Sequence, residues 1–162
     1  MAIQVLLTAG LGVLLYSSTA RAQIAPAQQK LEGVWVATVT RLNPPPNVPP
    51  TFHSLHTYTA GGGYVETSST GRTTRSPGFG EWLRTGDRQF TITQYFFRFG
   101  PNEQFAGITR LIRNIRLSEN GNEFQGLSIQ DQFDTDGKLV ISGLKATESG
   151  RRLDNGEFAE KP

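Results

Sequence analysis

The chain has 162 residues, with 16 Lys and Arg against 14 Asp and Glu and 36% hydrophobic residues, enough for one domain with its own core. It contains no cysteine, which excludes a disulfide framework, a cysteine nucleophile and a lipoprotein anchor. Charge is nearly balanced and the arginines are spaced along the chain rather than clustered, so there is no nucleic-acid footprint.

Residues 1–22 are predicted to be a signal peptide. The apolar run Val5 to Leu15 is too short to span a bilayer and is followed by Ala20-Arg21-Ala22, a small-residue cleavage site. Cleavage after Ala22 is expected, with export to the periplasm or beyond and no stable membrane anchor left; an uncleaved anchor is the alternative. The remaining 140 residues carry 15 basic and 14 acidic side chains, unevenly placed. Arg41 to Arg116 holds nine basic and four acidic residues, and Leu117 to Pro162 five and nine. Complementary wet faces of one sheet explain this division, as does a basic patch for an anionic partner.

Residues 23–30 read as a flexible leader, and the folded domain is expected over 31–153. Leu31 to Arg41 has the period of a strand, with Leu31, Gly33, Trp35, Ala37 and Val39 on one face. Asn43 to Pro50 is too proline-rich for helix or central strand and is expected to be a stiff connection; the other reading is a proline-recognition site for an SH3-like partner. Strands follow at Phe52–Ala60, Tyr64–Ser69 and, shorter, Phe79–Arg84, with Gly61-Gly62-Gly63 as a turn. Arg88 to Leu117 reads as a long hairpin, its two arms parted by Gly100-Pro101-Asn102-Glu103. In the second arm Thr109, Leu111, Ile115 and Leu117 alternate with polar residues, and Arg113 breaks the apolar face. If that face points inward, Arg113 needs a carboxylate from another strand or the acidic head of a ligand; if outward, it is solvated. Glu123–Phe133 and Leu139–Leu153 complete the series, with a break expected near Gly150 and a polar tail over 154–162.

Eight strands joined by short turns, with no helical period, predict an all-β antiparallel up-and-down barrel; a two-sheet sandwich is the runner-up. Gly33-Val34-Trp35 in the first strand, followed by a meander of seven more, resembles the lipocalin and wider calycin families. That resemblance implies that Trp35 plugs the closed end and that an Arg of the last strand, Arg151 or Arg152, packs across its ring. The phrase Gly80-Glu81-Trp82-Leu83-Arg84-Thr85-Gly86-Asp87-Arg88-Gln89-Phe90, with the aromatic hairpin after it, resembles small exported bacterial proteins described only as lipocalin-like.

Catalytic and metal motifs are absent: there is no Gly-x-Ser-x-Gly elbow, phosphate-binding glycine loop or zinc spacing. The only histidines, His53 and His56, fall on opposite faces of one strand, so they are not expected to share a metal; His53 is expected in solvent and His56 in the core. Asp134-Thr135-Asp136-Gly137 lacks the other ligands of a calcium loop and reads as a turn, and Asp131 with Asp134 as a solvated strand end. No metal or cofactor is expected. After residue 22 the chain carries ten Phe, three Tyr and two Trp, enough to line or to fill a barrel. The leading reading is a container for a small, mostly apolar or amphipathic ligand, with Trp35, His56, Tyr58, Trp82, Tyr95, Phe97 and Arg113 as candidate wall residues. The alternatives are a cyclase- or isomerase-type barrel of the allene oxide cyclase or dirigent kind, using His56 or Arg113, and a solid structural barrel.

Overall fold

The computed structural model describes residues 30–153. The predicted signal peptide, the polar tail and all of the leader except Lys30 lie outside the described residues. Eight strands follow in order: β1 (Gly33–Arg41), β2 (Thr51–Tyr58), β3 (Gly63–Ser68), β4 (Gly78–Gly86), β5 (Gln89–Phe99), β6 (Phe105–Leu117), β7 (Glu123–Phe133) and β8 (Leu139–Arg152). Each pairs antiparallel with the next, and β1 pairs with β8 through Trp35↔Arg152 to Arg41↔Ala146, closing an up-and-down barrel. That closing ladder excludes the sandwich and leaves no sheet edge.

The alternation in β1 is realised as read, with Trp35, Ala37 and Val39 buried in the interior. β4 extends beyond its expected bounds to Gly78 and Gly86. The expected break at Gly150 does not occur, because β8 runs unbroken through it. Gly150 lies under the Phe124 ring, where a Cβ would sit 2.3 Å from ring carbons, so this glycine makes room for a side chain rather than ending a strand. The irregularity in β8 falls instead at Gly143, with φ 75°, where the register against β7 shifts.

Interior side chains form three tiers. At the closed end Leu31, Trp35, Tyr58, Tyr64, Phe90, Ile92, Ile115, Leu117 and Phe124 make one contiguous apolar cluster. Trp35 donates its indole N–H to the Leu31 carbonyl at 2.9 Å, and the Arg152 guanidinium lies 4.4 Å from its ring centre. Of the two arginines considered, Arg152 is therefore the one across the plug. A polar tier spans the middle: Ser54, His56, Glu66, Gln94, Arg113 and Glu148 are all buried. Beyond it, towards the opposite end of the barrel, Val39, Phe96, Leu111 and Ala146 are buried but stand outside that cluster.

Candidate functional site: a polar layer across the barrel

A barrel interior fed by alternate residues has room for long side chains only where opposing positions are small. β7 presents Gly126 and Ser128 inward, paired with Ile115 and Arg113 on one side and with Glu148 and Ala146 on the other. Arg113 of β6 therefore reaches over β7 to Glu148 of β8, its Nε 2.9 Å from both carboxylate oxygens. β4 does the same between β3 and β5. A Cβ on Gly78 would lie 2.8 Å from Gln94 Nε2 and 3.1 Å from Glu66 Oε2, so the glycine leaves room for these two to meet.

The two halves join at Gln94. Its Oε1 accepts from Arg113 Nη1 at 2.6 Å, and its Nε2 donates to Glu66 Oε2 at 3.3 Å. Glu66 also takes the guanidinium of Arg75, which descends from the β3–β4 connection and covers the Phe96 ring at 3.9 Å. Ser54 Oγ lies 2.6 Å from Glu66 Oε1, His56 Nε2 3.1 Å from Ser54 Oγ, and Tyr58 Oη 3.2 Å from His56 Nδ1. A carboxylate only accepts, so Ser54 donates to Glu66; His56 Nε2–H then donates to Ser54, and Nδ1 accepts from Tyr58. Two guanidiniums face two carboxylates, and the layer is neutral overall.

Electrostatics follow from this packing. Burial, then Arg113 and Arg75, hold the His56 pKa well below its ordinary value, so the imidazole is neutral. Burial would raise Glu66, but Arg75 and Arg113 outweigh it and the net shift is downward. Burial pushes the Tyr58 and Tyr64 hydroxyls up, keeping both protonated. Arg113 lies 5.6 Å over the Tyr64 ring, and its pKa is raised because Glu148 and its other neighbours outweigh the burial that would lower it.

Of the seven residues singled out from sequence, Trp35, His56, Tyr58 and Arg113 point inward and are buried. Trp82 points inward near the closed end, half-buried, donating to the Thr59 carbonyl at 3.0 Å and meeting Phe90 edge-on. Tyr95 and Phe97 are on the outer face, 49% and 52% exposed, and do not join the interior. Only His56, Tyr58 and Arg113 enter the polar layer. Ser54, Glu66, Arg75, Gln94 and Glu148 were not singled out. Glu66 and Gln94 share the parity of Tyr64 and of Phe90, Ile92 and Phe96, and that polar interruption of an apolar face was the available signal.

His53 is exposed on the outer wall, with Nδ1 3.4 Å from Thr38 Oγ1. Among the described residues no group of three or more His, Asp or Glu side chains is placed to hold a metal ion. Two surface grooves, of about 390 and 340 Å³, involve no member of the polar layer. Comparison with protein-family models, with curated proteins and with solved structures gave no match.

Proposed function

We propose that this protein is an exported barrel that binds one small, mostly apolar or amphipathic ligand in its open half, above the polar layer. The observation that carries this reading is the separation of Val39, Phe96, Leu111 and Ala146 from the closed-end core, with the Thr109 hydroxyl buried among the inner-face residues of that half and without a partner. A barrel built only to be solid would gain by running one apolar core from end to end, since a buried ionic layer is no more stabilising than well-packed hydrophobic side chains of similar volume. The layer instead suits a fixed, neutral floor. Export is supported by the character of residues 1–22, and the lipocalin-like resemblance by the Trp35–Arg152 stack at the closed end.

Binding is favoured over catalysis because both candidate catalytic groups are engaged: His56 Nδ1 accepts from Tyr58, and Arg113 is held by Glu148 and Gln94. Native mass spectrometry of protein purified from its own host tests the reading, together with titration of a fluorescent apolar probe. One small molecule per chain, or stoichiometric probe binding that Leu111→Trp abolishes, is the expected result. Protein that carries nothing and takes up no probe would make the barrel solid and overturn it.

A further inference from the structure

The open end holds more positive charge than its carboxylates neutralise. Arg41 at the end of β1 and Arg98 near the end of β5 share the inward parity of Val39 and Phe96. Arg75 is bridged to Arg98 across the backbone and also lowers the pKa of Arg41, after burial, so the three arginines lie at the same end of the barrel. Among the described residues the carboxylates on this inner face are already engaged, Glu66 by Arg75 and Glu148 by Arg113. Asp131, the acid nearest along β7, points outward to Arg110, Ser142 and the Gly143 amide. No salt bridge among the described residues involves Arg41 or Arg98, and a guanidinium cannot shed its charge.

Arg98 is also held in one place. Its Nη2 donates to the Phe133 carbonyl at 2.6 Å, crossing Gly107, where a Cβ would lie 2.9 Å from that nitrogen and 2.0 Å from the carbonyl oxygen. Gly107 has φ 112°, so the backbone there both favours glycine and clears a path for the guanidinium. So pinned, Arg98 keeps its Nε–H buried with no partner. Thr109 is the next inward residue of β6, diagonal to Arg98 across the Arg98↔Gly107 and Phe96↔Thr109 pairs, and its hydroxyl is likewise buried and unpartnered. Two unused donors thus belong to diagonal neighbours on one wall, at the end that carries the surplus positive charge.

We propose that the mouth is an oxyanion site in which Arg98 Nε–H and the Thr109 hydroxyl donate to a carboxylate or phosphate group of the ligand, with Arg41 supplying further charge. This rests on the reading of the open half as the binding chamber, and it makes the ligand an amphipathic anion whose apolar part lies against Phe96 and Leu111. Arg113, already paired, is not the head-group residue.

Calorimetric titration of the purified protein in phosphate-free buffer with octanoate, octanol and inorganic phosphate tests the proposal. Octanoate is expected to bind at least about tenfold more tightly than octanol, the value of one charge-assisted hydrogen bond. Arg98→Met should erase that preference. Thr109→Val should weaken octanoate roughly threefold to tenfold while leaving octanol unchanged, and it should fold at least as well, because it removes a buried hydroxyl that has no partner. If Arg98→Met does not fold, Thr109→Val alone decides. Phosphate binding as tightly as octanoate, with the same dependence on Arg98 and Thr109, keeps the oxyanion site and assigns it to free anions. Octanol matching octanoate in both wild type and variants overturns the oxyanion site but leaves an apolar chamber. Failure of all three probes overturns the chamber with it.

Discussion

Removing one partner of the Arg113–Glu148 pair should be far more damaging than removing both. The side chains are 3% and 0% exposed, and the guanidinium places Nε 2.9 Å from each carboxylate oxygen. Glu148→Leu leaves a guanidinium in the barrel held by Gln94 over the Tyr64 ring, with Glu66 acting on it only at longer range, and since it cannot deprotonate the expected loss is about 3–5 kcal/mol. Arg113→Met strands the carboxylate instead. Its cost should fall in the same range, because a buried carboxylate is then left without its cation. The double variant, Arg113→Met with Glu148→Leu, fills the same space with apolar atoms and is expected to fall within about 2 kcal/mol of wild type, in either direction. Urea unfolding at pH 7, followed by Trp35 and Trp82 fluorescence, measures all four corners of the cycle. A domain of this size has about 5–15 kcal/mol to lose, so Glu148→Leu should show a clear fall in midpoint. Both single variants within about 1 kcal/mol of wild type would refute the claim that this pair is buried and mutually dependent.

Trp35→Ala should cost about 3–5 kcal/mol in the same assay, since it empties the closed-end cluster and strips Arg152 of its ring; a loss under about 1 kcal/mol would put Trp35 outside the core. Stability should also fall with acid. His56 is held neutral when folded, so the unfolded chain takes up its proton first: the His56 contribution is complete above about pH 6.5 and declines below it by up to about 1.4 kcal/mol per pH unit, and Glu66 acts in the same direction below about pH 4.5. His56→Gln should flatten the upper part of that decline, and an unchanged slope between pH 5 and 6.5 would assign it elsewhere. If residues 1–22 are a signal peptide, amino-terminal sequencing of exported material should begin at Gln23, and material that still begins at Met1 would count against export by cleavage.

Strand period and turn chemistry are local properties, and they were enough to place the eight strands, their order and the shared face of Trp35, Ala37 and Val39. They also set Arg113 apart, because it interrupts the face shared by Thr109, Leu111, Ile115 and Leu117, as a charge that needs a partner if that face points inward. The identity of that partner was not legible. Glu148 lies two strands away, and the two side chains meet only because β7 offers Gly126 and Ser128 between them. The same holds for Glu66 and Gln94 over Gly78, and for Arg75, which reaches the layer from a connection that no period describes. Tyr95 and Phe97 were misjudged because both faces of β5 carry aromatic residues, so composition cannot say which parity is inside. The choice between Arg151 and Arg152 was equally out of reach: it is made by the closing register Trp35↔Arg152, which exists only once the first and last strands have met. Alternation tells which residues share a side, but the contacts across an interior depend on strand stagger and on which neighbours are small enough to be crossed, and those are set by the closed barrel.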